Sequence, residues 1–122
     1  MYYRLSRSLR ERLDTLAALP LDPPDALTSK VQEHLQAARA AAQNGAPVDL
    51  ERAERVAAAC LALLADRGLR EPQERLVQGV CRYFASSDDE EDDFTSMVGL
   101  EDDVQVVNYV AAQLHRPDLA ID

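Results

Sequence analysis

The residues of this chain best suited to chemistry are nine carboxylates between positions 88 and 103, a stretch without Lys or Arg. Clustered carboxylate oxygens are the ligands that Ca²⁺ and Mg²⁺ prefer. If the stretch folds back onto the helix that follows it, four of these side chains could hold one divalent cation (Ca, Mg or Mn). The predicted metal ligands are Asp89, Asp93, Asp102 and Asp103. A metal held there and bound to water would make the protein a metal-dependent hydrolase.

The stretch does not follow the EF-hand pattern of calcium sites. Counted from Asp88, the sixth position is Asp93, where that loop requires Gly, and the twelfth is Gly99, where it requires Glu. Any cation site here would therefore have a geometry of its own.

The same carboxylates could instead form a contact surface. A local run of like charge attracts an oppositely charged partner, and salt screens the attraction beyond about 8–10 Å. The residues predicted for this interaction surface are Asp88, Glu90, Glu91, Asp92 and Glu101. Its partner would be a protein with a basic surface, or a second copy of this chain meeting it through Arg4, Arg7, Arg10 and Arg12. A third interpretation involves no ligand. The acidic stretch is then a solvated loop, and the acids that follow it stabilise the first turn of the next helix through the helix dipole.

Outside this stretch the chain offers little for catalysis. His34 and His115 have no Cys or His at the spacing of a zinc site. We expect His34 to face solvent and His115 to complement the C-terminus of a helix. Ser86 and Ser87 lack a G-x-S-x-G context, and no glycine-rich loop could cradle a phosphate. Apart from the metal-dependent hydrolase sketched above, the sequence gives no basis for an enzyme activity, and it indicates no cofactor other than the divalent cation.

The two cysteines, Cys60 and Cys81, fall on apolar faces of helical stretches. They form no CxxC pair, and nothing in the sequence indicates secretion. We expect two buried free thiols. A disulfide between two packed helices is the alternative, which a reducing compartment disfavours.

The polar residues that follow the fourth helical stretch resemble the signature of the YkvA-like family, small bacterial helical domains of unknown activity. That signature is approximately Y-x-x-S-P-x-D-x-x-P-D-x-x-P-x-x-G-x-x-D-D between two helices. Without a gap, this chain matches it at Tyr83, Ser86, Asp89, Asp93, Gly99, Asp102 and Asp103. An aromatic residue, Phe94, also follows Asp93. The resemblance implies a bacterial, helical protein and assigns no activity.

The same residues depart from the family pattern in two ways. Where the family has prolines, this chain has Ser87, Asp92 and Ser96. Where the family has apolar residues, it has Asp88, Glu90 and Glu91. The apolar, often membrane-linked character of the family's loop is therefore absent.

The net charge of −9 comes entirely from the acidic stretch. Without its nine acids, 13 Asp and Glu balance 13 Lys and Arg. Nucleic-acid binding is disfavoured, because it needs basic side chains to neutralise phosphates and this chain has one lysine, Lys30. Membrane contact is not expected, since Glu11 and Asp14 interrupt the arginines of the first helix. The apolar runs are far shorter than the ~20 residues of a spanning helix, and no signal peptide is evident, which predicts a cytoplasmic protein.

Apolar spacing predicts five helices. Leu5, Leu9, Leu13 and Leu16 define the first, which Pro20 stops. The second begins near Asp25 and ends at Asn44 and Gly45; the third runs from Asp49, its N-cap, toward Gly68. The fourth opens at Pro72, and the fifth covers about 100–114. With only four Gly and six Pro, the chain has too few turn signals for an all-β fold. We predict one all-α domain, residues 1–122, a compact bundle of about five helices with an acidic loop between the last two.

Overall fold

The structure, a computed structural model, describes residues 5–86 and 100–121. Five α-helices form an all-α bundle: α1 Arg7–Ala17, α2 Pro24–Gln43, α3 Leu50–Leu64, α4 Glu71–Ala85 and α5 Glu101–Gln113. The predicted fold class is confirmed. A short 3₁₀ helix, Pro117–Leu119, follows α5 and was not predicted. In the described part of the chain, no helix is both long and apolar enough to cross a bilayer.

Local sequence signals set the helix starts. Asp49 is the N-cap of α3, as predicted, and its carboxylate accepts a hydrogen bond from the Arg52 N–H at 3.1 Å. Ser6 caps α1 in the same way. Such caps satisfy first-turn N–H groups and contribute about 1 kcal/mol each. Pro24 and Pro72 lie in the first turns of α2 and α4, where a missing N–H costs little.

α2 and α5 end in Schellman motifs, in which the chain reverses through a left-handed residue. At the end of α2 this residue is Gly45, with φ of 88°. At the end of α5 it is His115, with φ of 56°, and the next N–H, that of Arg116, donates to the Ala111 oxygen at 2.8 Å. Glycine adopts this conformation freely, whereas a residue with a Cβ pays about 1–2 kcal/mol.

α4 lies at the centre of the bundle, because it packs against each of the other four helices. Its apolar face is buried, with Val77, Val80, Tyr83 and Phe84 inside. The closest approach is at Gly79, where an added Cβ would lie 3.1 Å from the Ala17 Cβ and 3.1 Å from Leu13 Cδ1. Gly79 therefore sets the spacing between α1 and α4.

Two polar side chains of α4, one turn apart, fasten the connection between α1 and α2. The Gln78 amide accepts from the Asp22 N–H and donates to the Asp22 oxygen, each at 2.9 Å. The Arg82 guanidinium donates to the main-chain oxygens of Leu16 (2.9 Å) and Pro20 (2.7 Å). It also pairs with the Asp22 carboxylate at 3.0 Å, and only 9 % of its side chain is exposed.

α5 is buried around most of its circumference, which is typical of a central helix. Its buried apolar residues include Val104, Val106, Val107, Tyr109 and Val110. Asn108 is buried too, and its amide exchanges two hydrogen bonds with the main chain of Ile121, at 2.8 and 2.7 Å. The segment that follows the 3₁₀ helix is thereby held against α5.

Candidate functional site

Three consecutive acids begin α5, and they differ in exposure. Glu101 is exposed, Asp102 is half-buried and Asp103 is only 1 % exposed. All three lie in the first turn, where the positive end of the helix dipole favours negative charge. The surface at this end of the bundle therefore presents Glu101 and part of Asp102, while the Asp103 carboxylate is directed into the protein.

The remaining predicted site residues lie outside the described part of the chain. They are Asp88, Asp89, Glu90, Glu91, Asp92 and Asp93. Within residues 5–86 and 100–121, no group of three His, Cys, Asp or Glu side chains is arranged to hold a metal ion. The four-carboxylate cation site stays a prediction, since only Asp102 and Asp103 of its ligands are described.

The basic side chains of the described residues are largely engaged with carboxylates of the same part of the molecule. Pairs one turn apart, such as Arg55 with Glu51 at 3.3 Å, lie along the helix surfaces. Arg39 pairs with Glu54 between α2 and α3 at 3.7 Å. In all, eight arginines lie within 4.0 Å of such a carboxylate: Arg7, Arg10, Arg39, Arg52, Arg55, Arg75, Arg82 and Arg116. Most of these exposed pairs add little stability, but they balance charge locally.

Two arginines of α1 also contribute to its packing through aromatic rings. The Arg10 guanidinium lies over the Tyr109 ring and that of Arg12 over the Tyr83 ring, each 5.0 Å from the ring centroid. Such cation–π contacts attach α1 to α5 and α4. Of the arginines predicted to meet a second copy of the chain, Arg7, Arg10 and Arg12 therefore take part in contacts within the chain. Arg4 lies outside the described residues.

The histidines are in structural positions. The His34 ring meets the Phe84 ring edge-on, with centroids 4.7 Å apart, and His34 is half-buried. The expectation that it faces solvent is therefore wrong, because α2 packs against α4 at this position. His115 lies just beyond the end of α5, at the helix C-terminus as expected.

The cysteines are buried and free, as expected, and they adjoin each other across α3 and α4. The Cys81 thiol lies 3.9 Å from the Cys60 main-chain oxygen. The hydrogen bond with Cys81 raises the pKa of the Cys60 thiol well above its usual value, and burial adds to the effect. A neutral buried thiol is a poor nucleophile, so Cys60 is not suited to catalysis.

A cavity that the sequence analysis did not predict opens at the N-terminal end of α4. Its volume is about 310 Å³, and it lies between the α1–α2 connection, the end of α3 and the first turns of α4. The apolar part of its lining is Leu21, Pro24, Leu63, Leu64, Leu69 and Val77. The charged part is Asp22, Asp66, Arg67 and Glu74. No motif signals this cavity, because three segments distant in sequence form it.

Comparisons with known proteins identify no relative of this chain. No protein-family model matches it, and neither does any curated protein or solved structure. The likeness to the YkvA-like family therefore rests on the spacing of residues 83–103 alone.

Proposed function

We propose that this protein is a helical interaction module that binds a protein partner with a basic surface. The contact region is the acidic segment, residues 86–103, which includes the exposed start of α5. The observation that carries the proposal is the separation of charge in the molecule. All of the net charge of −9 resides in nine acids of this segment, and the rest of the chain is formally neutral.

The ion pairs of the bundle support this proposal. Eight arginines already lie beside carboxylates within the described residues, so these cations are engaged locally. The excess negative charge of the acidic segment is then left to attract cations from outside the chain. Such a field raises association rates most at low ionic strength.

The scarcity of exposed apolar side chains also supports recognition by charge. Among the large apolar side chains that the structure describes, only Leu19 is exposed, at 44 %. Isolated exposed apolar residues are common and do not mark an interface. Charge is therefore the stronger means of recognition on this part of the molecule.

A fluorescent Lys/Arg-rich peptide provides a probe for this surface. We expect fluorescence anisotropy to show binding that weakens steeply with salt. Glu90→Gln removes one charge inside the acidic segment, whereas Glu33→Gln removes one from an exposed position on α2. We expect Glu90→Gln to weaken binding more than Glu33→Gln does. Equal weakening by the two variants would show that the peptide senses only net charge, and the proposal would fail.

The alternative function is binding of a divalent cation by Asp89, Asp93, Asp102 and Asp103. Asp102 and Asp103, which are adjacent in the first turn of α5 within the acidic segment, favour it. Calorimetric titration of chelator-treated protein with Ca²⁺, Mg²⁺ and Mn²⁺ distinguishes the two functions. Stoichiometric binding that an Asp89→Asn, Asp93→Asn variant loses would support the cation site. Weak uptake without stoichiometry, screened by salt, would favour the interaction surface. This pair of changes is preferable to Asp103→Asn, which would also alter the buried interior.

The setting of this function is part of the proposal. A cytoplasmic location accords with the finding that no described helix could span a membrane. A bacterial origin and a relation to the YkvA-like family rest on the resemblance of residues 83–103. Self-association through the acidic segment is the competing form of the same contact, and light scattering at low and high salt would detect it.

A further inference from the structure

The cavity at the start of α4 is bounded by segments that hydrogen bonds fix in place. On one side, Gln78 and Arg82 hold Asp22 and the rest of the α1–α2 connection. On the other side, Asp66 accepts a hydrogen bond from the Gly68 N–H at 3.0 Å and pairs with Arg116 at 3.5 Å. The walls are therefore formed before any ligand arrives, which lowers the cost of binding.

The charges that line this cavity fall into two groups. Asp22 and Asp66 already have cationic partners, in Arg82 and Arg116. Arg67 and Glu74 are exposed, line the same cavity, and form no ion pair with each other or with another described residue. The cavity thus presents one positive group, Arg67, and one negative group, Glu74, and the two do not pair with each other.

The apolar side chains that reach the cavity surface are Leu21 and Leu69, which are half-buried. Leu63, Leu64 and Val77 also line the cavity but are at most 8 % exposed. At about 310 Å³, the cavity is at the lower end of the range for small-molecule sites, roughly 300–1,000 Å³. A complementary ligand is therefore small, carries one charge of each sign and has an apolar body.

We propose that this cavity binds a free apolar α-amino acid such as leucine, an activity that goes beyond the interaction of the acidic segment. The ammonium group is placed at Glu74, the carboxylate at Arg67, and the side chain against Leu21 and Leu69. A lone amine would leave Arg67 unmatched, and a simple carboxylic acid would leave Glu74 unmatched. A ligand that carries both charges can match both.

Titration of the ¹⁵N-labelled protein with L-leucine, followed by NMR amide shifts, tests the proposal. We expect saturable shifts confined to residues that line the cavity. L-alanine, which lacks most of the apolar body, should bind more weakly, by about fourfold for each side-chain carbon that leucine buries. N-acetyl-leucine lacks the ammonium charge and leucinamide lacks the carboxylate, so each should bind about two- to fivefold more weakly than leucine.

Two variants connect each ligand charge with one side chain. Arg67→Gln should weaken leucine binding about two- to fivefold and leave leucinamide binding unchanged. Glu74→Gln should weaken leucine binding similarly and leave N-acetyl-leucine binding unchanged. Lys30→Gln and Glu33→Gln, exposed and outside the cavity, are the matched controls and should bind leucine normally. Absence of saturable shifts, or equal binding of leucine, leucinamide and N-acetyl-leucine, would overturn the proposal.

Discussion

The Gln78 side chain and the Asp22 main chain exchange two hydrogen bonds, each 2.9 Å long. Asn108 and Ile121 form the same arrangement, at 2.8 and 2.7 Å. In each case a buried amide on a helix satisfies the donor and the acceptor of one residue outside the helices. One helix side chain thereby helps to anchor each of two segments that lie outside the α-helices.

Replacing Gln78 with methionine tests the first of these anchors. Met has a similar length, but it makes neither hydrogen bond to Asp22. Because each bond contributes about 0.5–1.5 kcal/mol net, we expect Gln78→Met to lower the free energy of unfolding by about 1–2 kcal/mol. Urea unfolding measures the change. Gln32→Met, at an exposed position of α2, is the control and should stay within about 0.5 kcal/mol of the original protein. Similar values for the two variants would contradict the anchor.

The helices were predictable because their signals are local. The leucine spacing of α1, the cap at Asp49 and the proline at position 72 each act over a few residues. Such features bias one stretch of chain toward a helix whatever the rest of the fold does. The number, order and approximate bounds of the helices follow from them.

Contacts between distant segments were not predictable in the same way. Nothing near Gly79 in the sequence indicates that Ala17 will lie against it, and nothing near Arg82 indicates two main-chain oxygens from the α1–α2 connection. The cavity joins three segments and has no motif. Within the acidic site, the sequence located the charge, but only packing reveals that Asp103 is buried while Glu101 is exposed.

The close approach of α1 at Gly79 predicts that even a methyl group at this position lowers the stability of the fold. In Gly79→Ala, the new Cβ would lie 3.2 Å from the Ala17 Cα, so the main chain of α1 must shift. We expect a loss of about 1–2 kcal/mol in stability, although alanine favours a helix by about 1 kcal/mol. Gly68→Ala is the matched control, because its Cβ would meet only the Asp66 carboxylate, at 3.7 Å. Thermal unfolding in which Gly79→Ala matches or exceeds the original protein would refute the expectation.

The left-handed residue at the end of α5 predicts a stabilising change. His115 has φ of 56°, a conformation that glycine adopts without strain. We expect His115→Gly to raise the free energy of unfolding by about 0.5–1 kcal/mol. His115→Ala keeps the Cβ and should give no comparable gain. Chemical denaturation of the two variants measures the difference, and equal gains would exclude backbone strain as the cause.

The pair formed by Arg116 and Asp118 predicts a measurable pKa shift. The Arg116 guanidinium donates to both oxygens of the Asp118 carboxylate at 3.1 Å, which lowers the pKa of Asp118 below its usual value. Because the folded-state pKa is the lower one, the pair stabilises the protein above the ordinary aspartate pKa. This contribution is lost as the pH falls through the folded-state pKa.

NMR titration of the Asp118 carboxyl carbon measures this pKa directly. We expect Arg116→Gln to move it upward, toward the ordinary value. Arg55→Gln removes a charge from a distant exposed pair and should leave it unchanged. An Asp118 pKa that does not respond to loss of Arg116 would show that the two hydrogen bonds do not form in solution.

The buried thiol of Cys60 predicts a loss of stability at high pH. Its pKa is raised by the hydrogen bond with Cys81 and by burial, so it stays neutral in the folded protein when an exposed thiol would ionise. Above the ordinary thiol pKa of about 8.5, the Cys60 thiol therefore ionises in the unfolded chain but not in the folded one. This ionisation stabilises the unfolded chain relative to the folded one. We expect the free energy of unfolding to decline with rising pH in this range, and Cys60→Ala to make that decline shallower. The native protein should also react with Ellman's reagent far more slowly than the urea-unfolded protein, whereas equal rates would mean that the two thiols are accessible in the folded state.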